Sequence, residues 1–208
     1  MAVILNGKEV ANKIKDQVKQ EIHNTEAKPV LAVIQVGNNK ASDIYVRNKE
    51  KACEEVGIIN ISIKLDEKTT ETELIELIEK LNNDRTVNGI LVQLPLPKHI
   101  NEKEILNKVN PLKDVDGFHS TNSGKLFNGE ESLVPCTPAG IVEILKHYNI
   151  EMAGKHCVVV GRSNIVGKPV SMLLLNENAT VTVCHSKTKN LKEVNLSFKK
   201  GKMNWKIK

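Results

Sequence analysis

The chain is 208 residues long, 40% hydrophobic and 26% charged, with a formal net charge of +5. That is the balance of a globular protein with a core of its own, long enough for one large domain or two small ones. Residues 195–208 hold five lysines and no acid, while the rest carries 25 basic and 25 acidic residues, so the charge is no argument for a nucleic-acid partner.

Residues 2–5 read as a short strand and 7–23 as a helix. The continuous apolar run 29–36, PVLAVIQV, has the length and composition of a central parallel strand. Residues 42–57, SDIYVRNKEKACEEVG, form the next helix, with Ser42 as N-cap and Gly57 at the left-handed C-terminal position. At 3.6 residues per turn Tyr45, Lys49, Ala52, Cys53 and Val56 share one face, and Arg47, Glu50, Lys51 and Glu54 the solvated one. Lys49 sits in the apolar stripe, where a lysine must find a partner, snorkel past the core or give up its charge. Either it is a functional amine beside Tyr45 or its stem merely packs.

Residues 60–65 alternate as a strand, 72–82 carry the period of an amphipathic helix, and 89–94, GILVQL, form a buried strand stopped by Pro95 and Pro97. A helix at 101–109 precedes residues 110–135, rich in Asn, Gly and Asp, which read as a long irregular connection of the kind that is usually functional. Thr137 and Pro138 read as an N-cap followed by a first-turn proline, opening a helix to about Tyr148. Then come a strand at 155–160, the turn GRSNIVGK, a helix at 169–176 and a strand at 180–184, a complete βαβ unit. Alternating strands and helices predict an α/β class with parallel sheets.

Cys53, Cys136, Cys157 and Cys184 are scattered without a CxxC pair, which argues against a zinc site, and Cys53 and Cys157, inside apolar runs, read as buried thiols of a reducing compartment. The first residues, MAVILNGKEV, hold too short an apolar run for a signal peptide, and no segment reaches the ~20 apolar residues that span a bilayer. A cytoplasmic chain is expected.

Three stretches carry chemistry. VVVGRSNIVGKP places a glycine-rich turn between a buried strand and a helix N-terminus, a phosphate cradle that departs from G-x-G-x-x-G because Ser163 replaces the second glycine. Tight βα turns need glycine in any case, but Arg162 adds a cation suited to a 2′-phosphate. His185 and Ser186 end the following strand, where a ribose or its phosphate is normally read, though a His there is just as often a satisfied loop residue. Gln93 ends the GILVQL strand, where α/β proteins place ligands; it also reads as a polar stop before a proline. Asp114 and Asp116 suit either a metal or, for one of them, the edge of an aminopyrimidine. Pro135-Cys136-Thr137-Pro138 reads mainly as a rigid lead-in to a helix.

In order, Tyr45-x-x-x-Lys49, Gln93-Leu-Pro-Leu-Pro97, Lys113-Asp-Val-Asp-Gly-Phe118, Pro135-Cys-Thr-Pro138, Gly161-Arg-Ser-x-Ile-Val-Gly-Lys-Pro169 and Cys184-His-Ser186 resemble the bifunctional methylenetetrahydrofolate dehydrogenase/methenyltetrahydrofolate cyclohydrolase (FolD) family. The resemblance covers residues 1 to about 194. It implies oxidation of 5,10-methylenetetrahydrofolate with NADP and hydrolysis of the methenyl product to 10-formyltetrahydrofolate, in a cytoplasmic homodimer serving one-carbon metabolism and, through it, purine and amino-acid biosynthesis. It further implies that Lys49 is catalytic, Tyr45 stacks on the folate, Gln93 tunes Lys49, Asp116 holds the pterin, and Gly161, Arg162, Ser163 and Ser186 bind NADP, with no metal. The implied domains are a folate-binding catalytic domain at 1–118, a partial Rossmann-like NADP-binding domain at 119–194 and an aberrant basic tail at 195–208. The family pattern continues beyond 194, whereas this chain turns to NLSFKKGKMNWKIK. A frameshift or premature end is expected there, with loss of hydride transfer. The second reading is a non-catalytic folate- or nucleotide-binding remnant or a basic-tailed interaction protein.

Overall fold

The computed structural model describes residues 4–25 and 28–196, divided into two compact units, Met1–Cys136 and Thr137–Lys208. The basic tail at 195–208 lies outside the described residues, apart from the end of the last helix. The division falls at 136/137, later in the chain than residue 118, because residues 119–136 pack with the first unit.

In the first unit, α1 (Gly7–Thr25) leads to β1 (Val30–Val36), α2 (Lys40–Val56), β2 (Ile59–Leu65), α3 (Glu71–Asn83), β3 (Gly89–Val92), α4 (Glu102–Leu106) and α5 (Ser120–Asn128). The strands form a parallel sheet in the order β2-β1-β3. The apolar run of β1 is central because both its faces and both its edges are covered; Ala32 to Val36 are all buried. On one face Ile34, Ile90, Leu74, Ile78 and Ile105 pack together; on the other Val33 and Leu91 meet Val46 of α2. α3 opens with a capping box: Glu73 N donates to Thr70 Oγ1 (3.2 Å) and Thr70 N to Glu73 Oε2 (2.8 Å).

Several elements differ from the sequence reading. The N-cap of α2 is Asn39, whose side chain accepts from Ala41 N and Ser42 N, so the helix begins two residues before Ser42. Gly57 does take the left-handed C-terminal position (φ 90°). The buried stripe runs Ser42, Val46, Cys53, Val56, with Lys49 half-buried in line. Tyr45 stands off that stripe, 61% exposed. The strand read at 2–5 has its first two residues outside the described ones, and Ile4 and Leu5 are not in a strand. α4 is shorter than residues 101–109 because Asn107 folds its amide back onto Lys103 O (2.7 Å) and ends it. The connection at 110–135 contains α5, capped by the imidazole of His119 and by Gly129 in the left-handed conformation (φ 73°).

α6 (Cys136–His147) spans the division and starts one residue before Thr137. The second unit continues with β4 (His156–Val160), α7 (Gly167–Asn176), β5 (Thr180–Cys184) and α8 (Leu191–Leu196), the last not anticipated. β4 and β5 pair in parallel, His156 opposite Thr180 and Val160 opposite Cys184. Val142, Met152, Val170, Leu174 and Ala179 form the core beneath them.

Candidate active site

Three chain segments meet around Lys49. α2 carries the lysine on its inner side because Lys49 is the i+7 position of the i, i+4, i+11 stripe of Ser42, Val46 and Cys53 that faces the sheet. The residue after β3 is Gln93, whose N–H donates to Ile34 O (2.8 Å) and so extends the pairing with β1 past the end of the strand. Its side-chain oxygen accepts from Lys49 Nζ (3.0 Å), and its amide nitrogen donates to Leu94 O (2.8 Å). The second bond selects which end of the Gln93 amide faces the lysine. Lys49 therefore finds a partner rather than snorkelling. Ser42 Oγ lies 3.5 Å from Leu94 O, a second tie between α2 and the Leu94-Pro95 bend, where the peptide bond is cis.

The third segment is the turn after Lys113. It brings Asp116 close enough to Lys49 for the two charges to interact. Loss of hydration on burial pushes the Asp116 carboxyl above its ordinary value; the Asp114 charge adds to this, while Lys49 and a hydrogen bond from Cys136 oppose it. Cys136 Sγ is 3.9 Å from Asp116 Oδ1 and 3.9 Å from Val115 O. Cys136 is exposed as a residue, but its sulfur contacts these two oxygens. The sulfur's lost hydration and the Asp116 charge push the thiol up, against the pull of Lys49. Lys49, Gln93 and Asp116 are thus brought together, and Tyr45 stands one turn before Lys49 with its ring exposed.

Ser42 and Cys136 belong to this neighbourhood and were not singled out from the sequence as site residues. The spacing of Ser42 to Lys49, i to i+7, was a legible signal for the first; nothing local pointed to the second. Asp114 is engaged within the protein: its Oδ2 accepts from His119 N (2.8 Å) and Asn122 Nδ2 (2.9 Å).

In the second unit the turn between β4 and α7 is held at the C-terminal edge of the sheet, where Gly161 N donates to Cys184 O (2.8 Å). Gly161 has φ +151°, a conformation that favours glycine, although a Cβ there would meet no atom within 4 Å. Gly167 is required for the opposite reason, since a Cβ would come within 2.5 Å of Gly161 C and O. Ser163 Oγ accepts from Val166 N (3.1 Å) and Gly167 N (3.2 Å), which closes the first turn of α7 and leaves its hydroxyl proton to donate outwards. Arg162 and Ser186 are exposed. His185 closes its own turn: its N–H donates to Thr188 Oγ1 (2.8 Å) and its Nδ1 accepts from Lys187 N (3.1 Å). An exposed turn leading into a helix N-terminus, with an exposed guanidinium on it, suits a dinucleotide phosphate, so the residues present fit such a group. Among the described residues no group of three or more His, Cys, Asp or Glu is gathered for a metal, and no helix is long and apolar enough to cross a membrane.

Residues 5–116 match the family model for the catalytic domain of tetrahydrofolate dehydrogenase/cyclohydrolase, and residues 135–197 its NAD(P)-binding domain. The chain is 57% identical over 197 residues to the bifunctional protein FolD of Agathobacter rectalis, covering 93% of this chain and 71% of that protein. It is 57% identical over 194 residues to that of Campylobacter concisus, covering 92% and 69%. The solved bifunctional FolD of Campylobacter jejuni superposes with a TM-score of 0.89 at 49% identity, over 92% of this chain and 69% of that one. The FolD of Trypanosoma brucei, solved with NADP cofactor and an inhibitor, gives 0.87 at 38%, over 93% and 67%.

Proposed function

This chain belongs to the tetrahydrofolate dehydrogenase/cyclohydrolase family, and we propose that Lys49, Gln93, Tyr45 and Asp116 form its folate site while Gly161, Arg162, Ser163 and Ser186 hold its nucleotide. The family is one of enzymes: its FolD members are bifunctional methylenetetrahydrofolate dehydrogenases and methenyltetrahydrofolate cyclohydrolases that use NADP. The enzyme reading, rather than a non-catalytic remnant, is the one these relatives support.

The observation that carries the site is the hydrogen bond from Lys49 Nζ to Gln93 Oε1, 3.0 Å long, near a half-buried carboxylate at Asp116. Asp116 accepts N–H groups from the aminopyrimidine edge of the pterin, and burial strengthens those bonds by excluding competing water. Tyr45, exposed on the shoulder of α2, offers its face to the ring system. Gln93 takes one N–H of Lys49 and so aims the remaining hydrogen-bonding capacity of the amine at the one-carbon unit. Hydrolysis of the methenyl product requires a water held against a cationic carbon, and a positioned amine does that. NADP, when bound, supplies the hydride acceptor. The backbone of the turn that follows Gly161, ahead of α7, takes its pyrophosphate, and Arg162 its 2′-phosphate.

We further propose a cytoplasmic homodimer with no membrane or nucleic-acid partner, feeding one-carbon units to purine and amino-acid biosynthesis; its free cysteines and charge-neutral body support that setting. We also propose that the region read as 1–118, extended to Cys136 by its packing, acts as the folate-binding one and the rest of 119–194 as the nucleotide-binding one. The test is twofold. Tetrahydrofolate should bind saturably and at least about tenfold more weakly to Asp116→Ala, the loss expected for a hydrogen bond to a charged group. Lys49→Met, which keeps the stem and removes the nitrogen, should fold and lose methenyltetrahydrofolate hydrolysis. Unchanged binding or near-normal hydrolysis would overturn the respective role.

A further inference from the structure

The segment 113–118 carries Asp116 yet has no helix or strand of its own. It is seated at several points. Ile90 N donates to Lys113 O (2.7 Å), making an isolated parallel bridge beside β3. Lys113 Nζ donates to Leu81 O, Asn82 O and Asp84 O (3.0, 2.8 and 2.7 Å), closing the carbonyl end of α3. Gly117 has φ +64°, and a Cβ there would lie 2.6 Å from Leu133 O.

At the centre is Asp114, 4% exposed and adjacent to no ion-paired cation among the salt bridges of the described residues. Both its recorded donors, His119 N and Asn122 Nδ2, converge on one oxygen, Oδ2. Asn122 is itself buried at 4% and also donates to Pro111 O (2.9 Å), so its amide spans the turn from 111 to 114. A buried carboxylate is costly unless its bonds are made, and these bonds tie the start of α5 to Pro111 and Asp114, shortly before Asp116.

We infer that Asp114 is a positioning residue: through Asn122 and the His119 N–H it holds the 113–118 turn in the shape that presents Asp116 to the folate. This rests on the reading of Asp116 as a folate contact. It makes a specific chemical prediction. Because both donors use one oxygen, an amide at this position keeps both bonds with its carbonyl, whereas a methyl group keeps neither.

The experiment is equilibrium titration of the full chain with tetrahydrofolate, for wild type and for Asp116→Ala, Asp114→Ala, Asp114→Asn and Asn122→Ala, with thermal melts alongside. Asp116→Ala should weaken binding; if it does not, the reading of Asp116 falls and the positioning role with it. Given that loss, Asp114→Ala should weaken binding about 10- to 100-fold, and Asp114→Asn should stay within about threefold of wild type because the carbonyl still accepts both bonds. Wild-type affinity in a folded Asp114→Ala overturns the inference, and so does an Asp114→Asn as weak as Asp114→Ala, since charge rather than geometry would then be at work. If Asp114→Ala does not fold, Asn122→Ala decides: weakened binding with a cooperative melt supports the role, and unaltered binding overturns it.

Discussion

Lys49 and Asp116 meet the same problem, a charged group near a core, in different ways. Lys49 is half-buried and bonds to a neutral oxygen on Gln93. Asp116 has its proton held more tightly, chiefly by burial and further by Asp114. A carboxyl with a raised folded-state pKa contributes most to stability below its ordinary value, and that contribution is lost as pH rises through the folded value. At neutral pH the fold therefore bears the cost of a half-buried charge. Asp116→Asn should melt at a higher temperature than wild type at neutral pH, with the gap closing as pH falls towards the ordinary 3.8. Paired melts across that range check it; a gap that does not change with pH would count against burial as the cause. The same variant should bind folate poorly, since an amide replaces two acceptor oxygens with one.

Among the elements, α3 shows how much of the frame is secured by local chemistry. Thr70 and Glu73 complete a reciprocal cap at its start, and the Thr70 backbone holds Glu73 below the ordinary carboxylate value. Its last carbonyls, at Leu81 and Asn82, accept from Lys113, so the helix that packs Leu74 and Ile78 into the core also anchors the turn leading to Asp116. Thr70→Ala should lower stability by about 1 kcal/mol, the usual loss for an N-cap hydroxyl. Urea unfolding of the two forms measures this, and equal midpoints would show that the cap is redundant.

For the whole molecule, stability of the first unit rests on one apolar layer between the sheet and its helices. Ile34, Leu74, Ile78 and Ile105 are fully buried there. Ile78→Ala removes three carbons from a closed site and should cost roughly 2–5 kcal/mol, read as a lower urea midpoint with an unchanged slope. A loss below about 1 kcal/mol would mean that the layer collapses around the gap. The second unit has less cover: Val160 and Val183 at the ends of β4 and β5 remain largely exposed.

What was legible in the chain was what neighbours in sequence decide. The apolar run of β1, the helical period of α3, the left-handed glycine after α2 and the tight turn before α7 all follow from steric and periodic rules acting over a few residues. Local rules also misled. Ser42 has the chemistry of an N-cap, yet it faces the core, because Asn39 caps first and the stripe through Val46 is the one that meets the sheet. α5 stayed hidden because its cap is a histidine and its body is polar. The pairing of Lys49 with Gln93, of Asp114 with Asn122 and of Asp116 with Cys136 joins residues 44, 8 and 20 positions apart. No periodicity encodes those contacts. The first exists because β3 ends beside α2, the other two because the chain after Lys113 folds back on itself, and burial then rewards each polar group that finds a partner.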